Sequence, residues 1–202
     1  SLEAARSGIE AGFSHADVPT LVRPRAAQNA LDCALWDLEA KRAGKPVWQL
    51  ALLQQPHPMT TAYTLSLDTP EAMANAAAEA SHRPLLKLKL GREGDVERLR
   101  LIREAAPASR LIIDANEGWT PEGLPLLLKT CAAVGVELVE QPLPAADDEA
   151  LLRITHDVPI CADESAHDRQ NLHKLAGKYD AINIKLDKTG GLTEALALAH
   201  AA

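Results

Sequence analysis

The chain has 202 residues, of which 47% are hydrophobic and 24% are charged, and its formal net charge is −7. This balance is typical of a globular protein with a substantial core, and it excludes a disordered tail. The acidic balance and the scattered basic residues argue against a nucleic-acid surface, and no apolar run approaches the roughly 20 residues that cross a bilayer. Three cysteines without close spacing predict neither a disulfide framework nor a cysteine-based zinc site. We therefore expect a cytoplasmic protein whose partner is a small molecule, and a homo-oligomer is left open.

The first part of the chain is dominated by one helical pattern. Apolar residues recur at helical spacing over residues 25–53, and Gly44-Lys45-Pro46 is a stop signal within that segment. The composition changes after the break at Pro56-His57-Pro58. We therefore predict a boundary near residue 56, with a helical segment in residues 1–55 and a second domain in residues 56–202.

The second domain alternates short apolar runs with longer amphipathic stretches. Runs of about four to eight residues that end in a polar break are typical of strands, and the stretches between them are long enough for helices. Such β-then-α repetition predicts a parallel sheet with right-handed crossovers, either open or closed into a barrel. The predicted strands are residues 60–67, 85–90, 110–116, 136–141, 159–164 and 181–186. The predicted helices are residues 94–106, 121–134, 147–156, 168–177 and 192–201.

Ionisable residues recur near the ends of these strands. Five of them are separated by intervals of 22 to 26 residues, about one βα unit each. They are Lys89, Asp114, Glu140, Asp163 and Lys185. In a (β/α)₈ barrel the carboxyl ends of consecutive strands converge on one face, whereas an open sheet would spread them along a line. The spacing therefore favours a TIM-type (β/α)₈ barrel, incomplete here, with about six βα units.

Three of these residues are carboxylates on successive strands. Asp114, Glu140 and Asp163 supply the oxygen ligands that Mg²⁺ prefers, and Mn²⁺ can substitute for it. Each of them alone would fit a helix cap or a salt bridge equally well. The three together predict a metal site at the strand ends.

The lysines share faces with other polar residues. Side chains two positions apart on a strand point the same way, which pairs Lys87 with Lys89 and Asn183 with Lys185. Lys87 and Lys89 alone would also fit the solvated face of an edge strand. Beside a metal, however, a partly desolvated lysine has a lowered pKa and can remove a proton next to a carboxylate, while the metal stabilises the resulting dianion. We therefore predict that Lys89 and Lys185 approach an α-carbon from opposite faces and invert it, with Lys87 holding the substrate carboxylate.

These residues lie in motifs that resemble the muconate-lactonizing subgroup of the enolase superfamily. The motifs are Lys87-Leu88-Lys89, Asp114-Ala115-Asn116, Glu140-Gln141-Pro142, Ala162-Asp163-Glu164-Ser165, and Lys185 followed by Gly190-Gly191. The resemblance runs from about residue 25 to the last residue, and within the subgroup residues 61–70 and 185–192 are most similar to the L-Ala-D/L-Glu (dipeptide) epimerases. It implies Mg²⁺ at the three carboxylates, acid/base catalysis by Lys89 and Lys185, and a substrate contact near Thr64.

The resemblance also sets expectations for the domains. It implies that residues 1–55 are the C-terminal helical part of an α+β capping domain and that residues 56–202 form a partial barrel without its last two strands. The acidic motif with which dipeptide epimerases bind the substrate ammonium lies on the final strand and has no counterpart here. The predicted activity is a Mg²⁺-dependent, two-lysine epimerisation of a dipeptide such as L-Ala-L-Glu.

Several alternatives stay open at this point. The same constellation serves N-acyl amino acid racemases, o-succinylbenzoate synthase and muconate-type cycloisomerases. A barrel with a strand-end lysine is also typical of Schiff-base aldolases, and a catalytically inactive scaffold is a non-enzymatic alternative. Trp119, just past Asn116, is a candidate for the pocket lining.

Overall fold

The computed structural model describes residues 3–202, and its strands form one parallel sheet in the order β1-β2-β3-β4-β5-β6. Every strand pairs with the next one along the chain, which is the strand order of a (β/α) barrel. The predicted α/β class with about six units of a TIM-barrel-like domain is confirmed. The strands are β1 (Tyr63–Leu65), β2 (Leu85–Lys89), β3 (Arg110–Asp114), β4 (Val136–Glu140), β5 (Ile160–Ala162) and β6 (Ala181–Ile182).

The helices alternate with these strands after an initial helical segment. The α-helices are α1 (Arg6–Glu10), α2 (Val18–Leu21), α3 (Arg25–Ala43), α4 (Val47–Leu50), α5 (Pro70–Glu79), α6 (Asp95–Ala105), α7 (Leu124–Ala133), α8 (Leu186–Thr189) and α9 (Leu192–Ala201). Turns of 3₁₀ helix cover Glu3–Ala5, His15–Asp17, Asp148–Arg153 and Arg169–Lys174. No helix among residues 3–202 combines the length and apolarity needed to cross a membrane.

Strand β2 shows how the sequence pattern becomes a layered core. Leu86 and Leu88 are fully buried against the core, whereas Lys87 and Lys89 on the other face are half-buried. The predicted alternation along this strand is confirmed. The hydrophobic core lies between one face of the sheet and helices α5, α6 and α7, where Met73, Leu99 and Leu124 are buried.

The ladder ends earlier than the sequence predicts at β5 and β6. Asp163 lies one residue past β5, because its amide donates to the side chain of Gln141 at 2.8 Å instead of to a neighbouring strand. Lys185 lies past β6 as the residue before α8, and its carbonyl accepts from Lys188 and Thr189. The predicted strands 159–164 and 181–186 therefore overestimate the regular pairing.

Helix boundaries differ at three places. The predicted helices 147–156 and 168–177 are only short 3₁₀ turns, because too few residues there sustain α-helical bonding. The stop signal predicted at Gly44-Lys45-Pro46 is confirmed, because α3 ends at Ala43 and Gly44, with a φ of 63°, caps it. Helix α5 was not predicted, although Thr69 caps it by accepting from the amide of Ala72 at 3.2 Å and Pro70 occupies its first position.

The chain divides into two compact units. The first contains the residues up to Pro58 together with Ala166–His173 and Ile184–Ala202, and the second contains Met59–Ser165 and Lys174–Asn183. The assignment of residues 1–55 to a capping domain and of residues 56–202 to a barrel stays a prediction.

One buried carboxylate organises the first unit. Asp32 on α3 accepts from the amide of Thr193 at 2.9 Å and from its hydroxyl at 2.6 Å, so it binds the first turn of α9. The ring of His15 contacts the same carboxylate at 2.7 Å and packs against Trp36, with 4.7 Å between the ring centroids. Gly191 is required here, because a Cβ would come within 2.4 Å of Asp32.

In the second unit, the loops after β2 and β3 touch through two glycines. A Cβ on Gly118 would lie 2.6 Å from the Cα of Gly91, and Gly91 itself has a φ of 119°. Only glycine permits both the contact and that backbone conformation. This contact fixes the segments that follow Lys89 and Asp114.

Candidate active site

The register of the sheet brings the predicted residues of three strands into one row. Lys89 on β2 pairs with Asp114 on β3, and Asp114 pairs with Glu140 on β4. Two residues before Lys89 on the same strand, Lys87 pairs with Thr64 on β1. Thr64 is exposed and lies beside Lys87 in the ladder.

Two lysines and two carboxylates form a lysine–carboxylate cluster where these strands end, and Lys87 lies two residues before the row of the other members. Lys87 Nζ lies 2.9 Å from Asp114 Oδ2 and 2.6 Å from Glu140 Oε2, so its ammonium bridges the carboxylates of adjacent strands. Lys89 Nζ lies 2.7 Å from the same Asp114 oxygen. The carboxylate side chains are almost fully buried, whereas those of Lys87 and Lys89 are 20% and 34% exposed. The cluster is thus buried on the acidic side and open to solvent on the basic side.

The charges in this cluster shift each other's pKa values. Burial alone would lower the pKa of Lys87, but its hydrogen bonds and attraction to Glu140 and Asp114 raise the pKa above the ordinary value. Burial alone would raise the pKa of Asp114, yet the bonds from Lys89 and Lys87 hold it below the ordinary value. Lys87 therefore stays an ammonium at neutral pH, which suits it to binding an anion and not to acting as a base.

Asn116 orients the end of Lys89. Its Oδ1 accepts from Lys89 Nζ at 2.7 Å, and its Nδ2 donates to Glu164 Oε1 at 3.3 Å. Its backbone is left-handed, with a φ of 44°, and its amide donates to Asp114 Oδ1 at 3.1 Å. Asparagine tolerates this conformation better than most residues, so the loop can return toward the strand end. Glu164 Oε2 is the one buried side-chain oxygen or nitrogen without a hydrogen-bond partner among residues 3–202.

The third predicted ligand belongs to the next strand. Asp163 is 1% exposed and is held through its amide by Gln141 Oε1. Cys161, two residues earlier, pairs with Glu140 in the sheet. Burial, together with the nearby charges of Glu140 and Asp163, raises the pKa of the Cys161 thiol to about 12. Cys161 is therefore a neutral thiol and not a candidate nucleophile.

Lys185 belongs to the first unit, whereas the other predicted site residues belong to the second. It precedes α8 in an extended conformation, with φ −113° and ψ 127°. Two residues earlier, Asn183 closes the second unit, and its Nδ2 donates to Glu140 Oε1 at 2.9 Å. The pairing of Lys185 with Lys89 stays a prediction.

The donor set fits a hard divalent cation in its chemistry. Asp114, Glu140 and Asp163 are buried oxygen donors at or just past the ends of adjacent strands, and two of them already bind a cationic group, the ammonium of Lys87. Within residues 3–202, no three His, Cys, Asp or Glu side chains come close enough together to hold a metal ion in the present arrangement. A cation entering between Asp114 and Glu140 would compete with Lys87 for their carboxylates.

Two supporting residues were not predicted from the sequence, and the prediction for a third was wrong. Gln141 and Asn183 bond to Asp163 and Glu140, and their positions beside or between predicted site residues were the available signal. Trp119 is a core residue, 4% exposed, whose indole donates to the buried Asp95 at 2.8 Å. It therefore does not form the pocket lining that its position suggested.

Two family models match the chain. Residues 71–202, well over half of it, match the model described as enolase C-terminal domain-like. Residues 12–51 match the N-terminal domain of mandelate racemase / muconate lactonizing enzyme.

Known enzymes and solved structures are similar to nearly the whole chain. The L-Ala-D/L-Glu epimerase of Escherichia coli (strain K12) is 48% identical over 193 residues, which are 95% of this chain and 60% of that protein. The N-acetyl-D-glutamate racemase of a Pseudoalteromonas species is 47% identical over 177 residues, covering 88% and 56%. The dipeptide epimerase of Enterococcus faecalis V583, complexed with Mg and L-Leu-L-Tyr, aligns with a TM-score of 0.87 at 34% identity, covering 99% and 62%. The chain thus spans between 56% and 62% of the lengths of these relatives.

Proposed function

Because this chain belongs to the enolase superfamily through its enolase C-terminal domain-like segment, we propose that it is part of a Mg²⁺-dependent epimerase of dipeptides such as L-Ala-L-Glu. The observation that carries the proposal is the lysine–carboxylate cluster, in which Lys87 and Lys89 meet Asp114 and Glu140 within 2.9 Å at the ends of adjacent strands. Similarity to an L-Ala-D/L-Glu epimerase at 48% identity supports the substrate class. A cytoplasmic location belongs to the same proposal and agrees with three free cysteines.

The metal is assigned to Asp114, Glu140 and Asp163. The similar enterococcal enzyme was solved as a complex with Mg and a dipeptide, which supports this choice of ion. When bound, Mg²⁺ would neutralise the negative charge that develops on the substrate carboxylate as the α-proton leaves. Lys87 stays protonated and binds that carboxylate from the side, and Thr64 lies beside it on β1.

Lys89 acts as one of the two acid/base groups. Its Nζ bonds to Asp114 and Asn116, and both bonds can persist when the amine is neutral, because a neutral amine keeps two N–H groups. The lone pair then takes a remaining tetrahedral direction, toward a substrate α-proton. Lys185 is assigned as the opposite group, which delivers a proton to the other face. One lysine ends the turnover protonated and the other neutral, and exchange with solvent restores both.

A racemase of N-acyl amino acids is the second candidate. Its support is specific, since the N-acetyl-D-glutamate racemase is 47% identical to this chain, almost as similar as the dipeptide epimerase. Both substrates present a carboxylate and an acylated nitrogen at the reacting carbon. The lysine–carboxylate cluster serves either one equally.

The test is proton NMR of the full-length protein in D₂O with Mg²⁺, comparing L-Ala-L-Glu with N-acetyl-D-glutamate. We expect the α-proton signal of the dipeptide glutamate to disappear as the other diastereomer forms. Lys89→Met and Lys185→Met should each slow this inversion by at least about 100-fold, as expected for loss of a general acid/base. Lys129→Met, at an exposed lysine of α7, is the matched control and should leave the rate unchanged.

Other outcomes point elsewhere. Faster inversion of N-acetyl-D-glutamate would favour the second candidate. Exchange with neither substrate would overturn both assignments. Borohydride trapping of a carbonyl substrate on a lysine, with activity indifferent to chelator, would replace them with the aldolase alternative.

A further inference from the structure

Gln141 has an uncommon backbone and a fully buried side chain. It follows Glu140 directly, its φ is 37°, and its exposed fraction is 0%. A non-glycine residue in the left-handed region is disfavoured and persists only where its surroundings hold it. Asparagine would suit this backbone better, so the contacts of the longer glutamine side chain are the place to look for its role.

The oxygen of the Gln141 amide binds the end of β5. Oε1 accepts from the amide of Asp163 at 2.8 Å and from the amide of Ser165 at 3.1 Å. Backbone amides can only donate, so an acceptor is required at this position. The side chain of Gln141 therefore closes the gap where the β4–β5 ladder has ended.

The nitrogen of the same amide faces a set of acceptors. The two hydrogens of Nε2 face three acceptors, the carbonyl of Leu143 at 3.0 Å, Ser165 Oγ at 2.9 Å and Tyr179 Oη at 2.8 Å, so one hydrogen is shared. Both hydroxyls also contact Asp148 Oδ2 at 2.8 Å, and a carboxylate can only accept, so their hydrogens are directed there. The hydroxyls are then left to accept from Gln141, and the orientation of its amide is fixed from both ends.

A buried ion pair anchors this arrangement. Lys178 Nζ lies 2.6 Å from Asp148 Oδ1, and both side chains are at least nine-tenths buried. We name the set Gln141, Asp148, Ser165, Lys178 and Tyr179 the Gln141 network. Its members satisfy one another, and Gln141 Oε1 links the network to Asp163.

We propose that Gln141 is a positioning residue that holds Asp163 at a fixed distance from Glu140, through its side chain on one strand end and its backbone on the other. The proposal rests on the proposed function, in which Asp163 and Glu140 bind the divalent cation. Groups that orient metal ligands typically change metal affinity or activity by about 10- to 100-fold when they are removed. Gln141 touches neither the metal nor the substrate in this role and acts only through Asp163.

The test measures Mn²⁺ binding by the electron paramagnetic resonance signal of the free ion, with the metal-free full-length protein. Gln141→Asn keeps the amide and suits the left-handed backbone, but it is one methylene too short to reach Asp163. Gln141→Met keeps the length without an acceptor. We expect the Mn²⁺ dissociation constant to rise by about 10- to 100-fold in both variants. Circular dichroism and thermal unfolding report whether each variant is folded, and Gln141→Asn decides if Gln141→Met does not fold.

Tyr179→Phe is the matched control. It removes a hydroxyl from the same network and should lower thermal stability, but it leaves the bond from Asp163 to Gln141 intact. We expect its Mn²⁺ dissociation constant to stay within about threefold of wild type, below one factor of ten in affinity. A merely structural network would instead weaken metal binding in step with stability in all three variants.

The outcomes separate the two proposals. Wild-type Mn²⁺ affinity in folded Gln141→Asn would overturn the positioning role and leave the proposed function standing. An equal loss in Tyr179→Phe and the Gln141 variants would also overturn it. Absence of Mn²⁺ binding to the wild-type protein would overturn the metal assignment itself, and with it the proposed function.

Discussion

The lysine–carboxylate cluster and the Gln141 network are both charged and both lie in the second unit, but their lysines differ in exposure to solvent. Lys89 is 34% exposed in the first, whereas Lys178 is 8% exposed in the second. In the first, the single oxygen Asp114 Oδ2 accepts from two lysines. In the second, Asp148 Oδ2 also accepts from two donors, the hydroxyls of Ser165 and Tyr179, and the ammonium bonded to Oδ1 is buried. Similar bonds thus form a partly solvent-exposed site in the lysine–carboxylate cluster and a largely buried ion pair in the Gln141 network.

The largest expected effect is on the free energy of unfolding, when the buried ammonium of the Gln141 network is removed. Lys178→Met leaves Asp148 charged and buried without its ammonium, and we expect the free energy of unfolding to fall by about 3 kcal/mol. Urea unfolding of the full-length protein measures it. Arg110→Met is the matched control, because its bond to Glu137 is exposed to solvent and its loss should not change the midpoint measurably. Equal losses of unfolding free energy in the two variants would show that burial does not make the Lys178–Asp148 pair more important than an exposed pair.

Removing a lysine from the lysine–carboxylate cluster should instead change the affinity for the metal ion. Lys87 bonds to both Asp114 and Glu140, so it competes with a cation for them. We expect Lys87→Met to bind Mg²⁺ about tenfold more tightly, equivalent to about 1.4 kcal/mol, while epimerisation is lost with the substrate carboxylate contact. Calorimetric titration of Mg²⁺ checks the affinity, and Lys89→Met, which leaves the bridge to Glu140 in place, should show a smaller gain. Weaker Mg²⁺ binding in Lys87→Met would mean that this lysine supports the metal site.

Acidification should reduce the difference in the free energy of unfolding between wild type and Lys178→Met. Burial would raise the pKa of Asp148, but bonds from Lys178, Tyr179 and Ser165 hold it below its ordinary value of 3.8. A lowered folded-state pKa contributes stability that is present above the unfolded pKa and is lost as pH falls through the folded one. Lys178→Met lacks much of this contribution. Its loss of unfolding free energy relative to wild type should therefore be complete at pH 7 and become smaller below about pH 4. Urea unfolding at several pH values tests this, and a deficit independent of pH would contradict it.

The smallest effect on activity is expected from a change at Cys161. This residue pairs with Glu140 in the sheet, but we assign it no chemical role. Its pKa of about 12 keeps it a thiol, and it is buried. We expect iodoacetamide at pH 8 to leave it unmodified in the folded protein, whereas the half-buried Cys33 reacts first. Cys161→Ala should retain activity within about threefold, well under the loss that follows removal of a general acid/base. Preferential labelling of Cys161, observed by mass spectrometry, would show a reactive thiolate at the site.

The fold was largely predictable where local pattern and tertiary role agree. The alternation of Leu86 and Leu88 with Lys87 and Lys89 predicts both β2 and its faces, because side chains alternate on any strand. Prediction was poorer where bonding partners come from elsewhere in the chain. The predicted strand 159–164 ends at Ala162, because the side chain of Gln141 takes the place of a strand partner for Asp163, and no local pattern reports that.

The sequence by itself determined which residues stand at the strand ends. The recurrence of Lys89, Asp114 and Glu140 at about one βα unit depends only on spacing along the chain, and parallel strands then bring them to one edge. The tertiary structure alone decided that Lys87 bridges Asp114 and Glu140, and that Gln141 binds Asp163. Those contacts depend on the register between strands and on side-chain directions, which are set by packing among residues far apart in sequence.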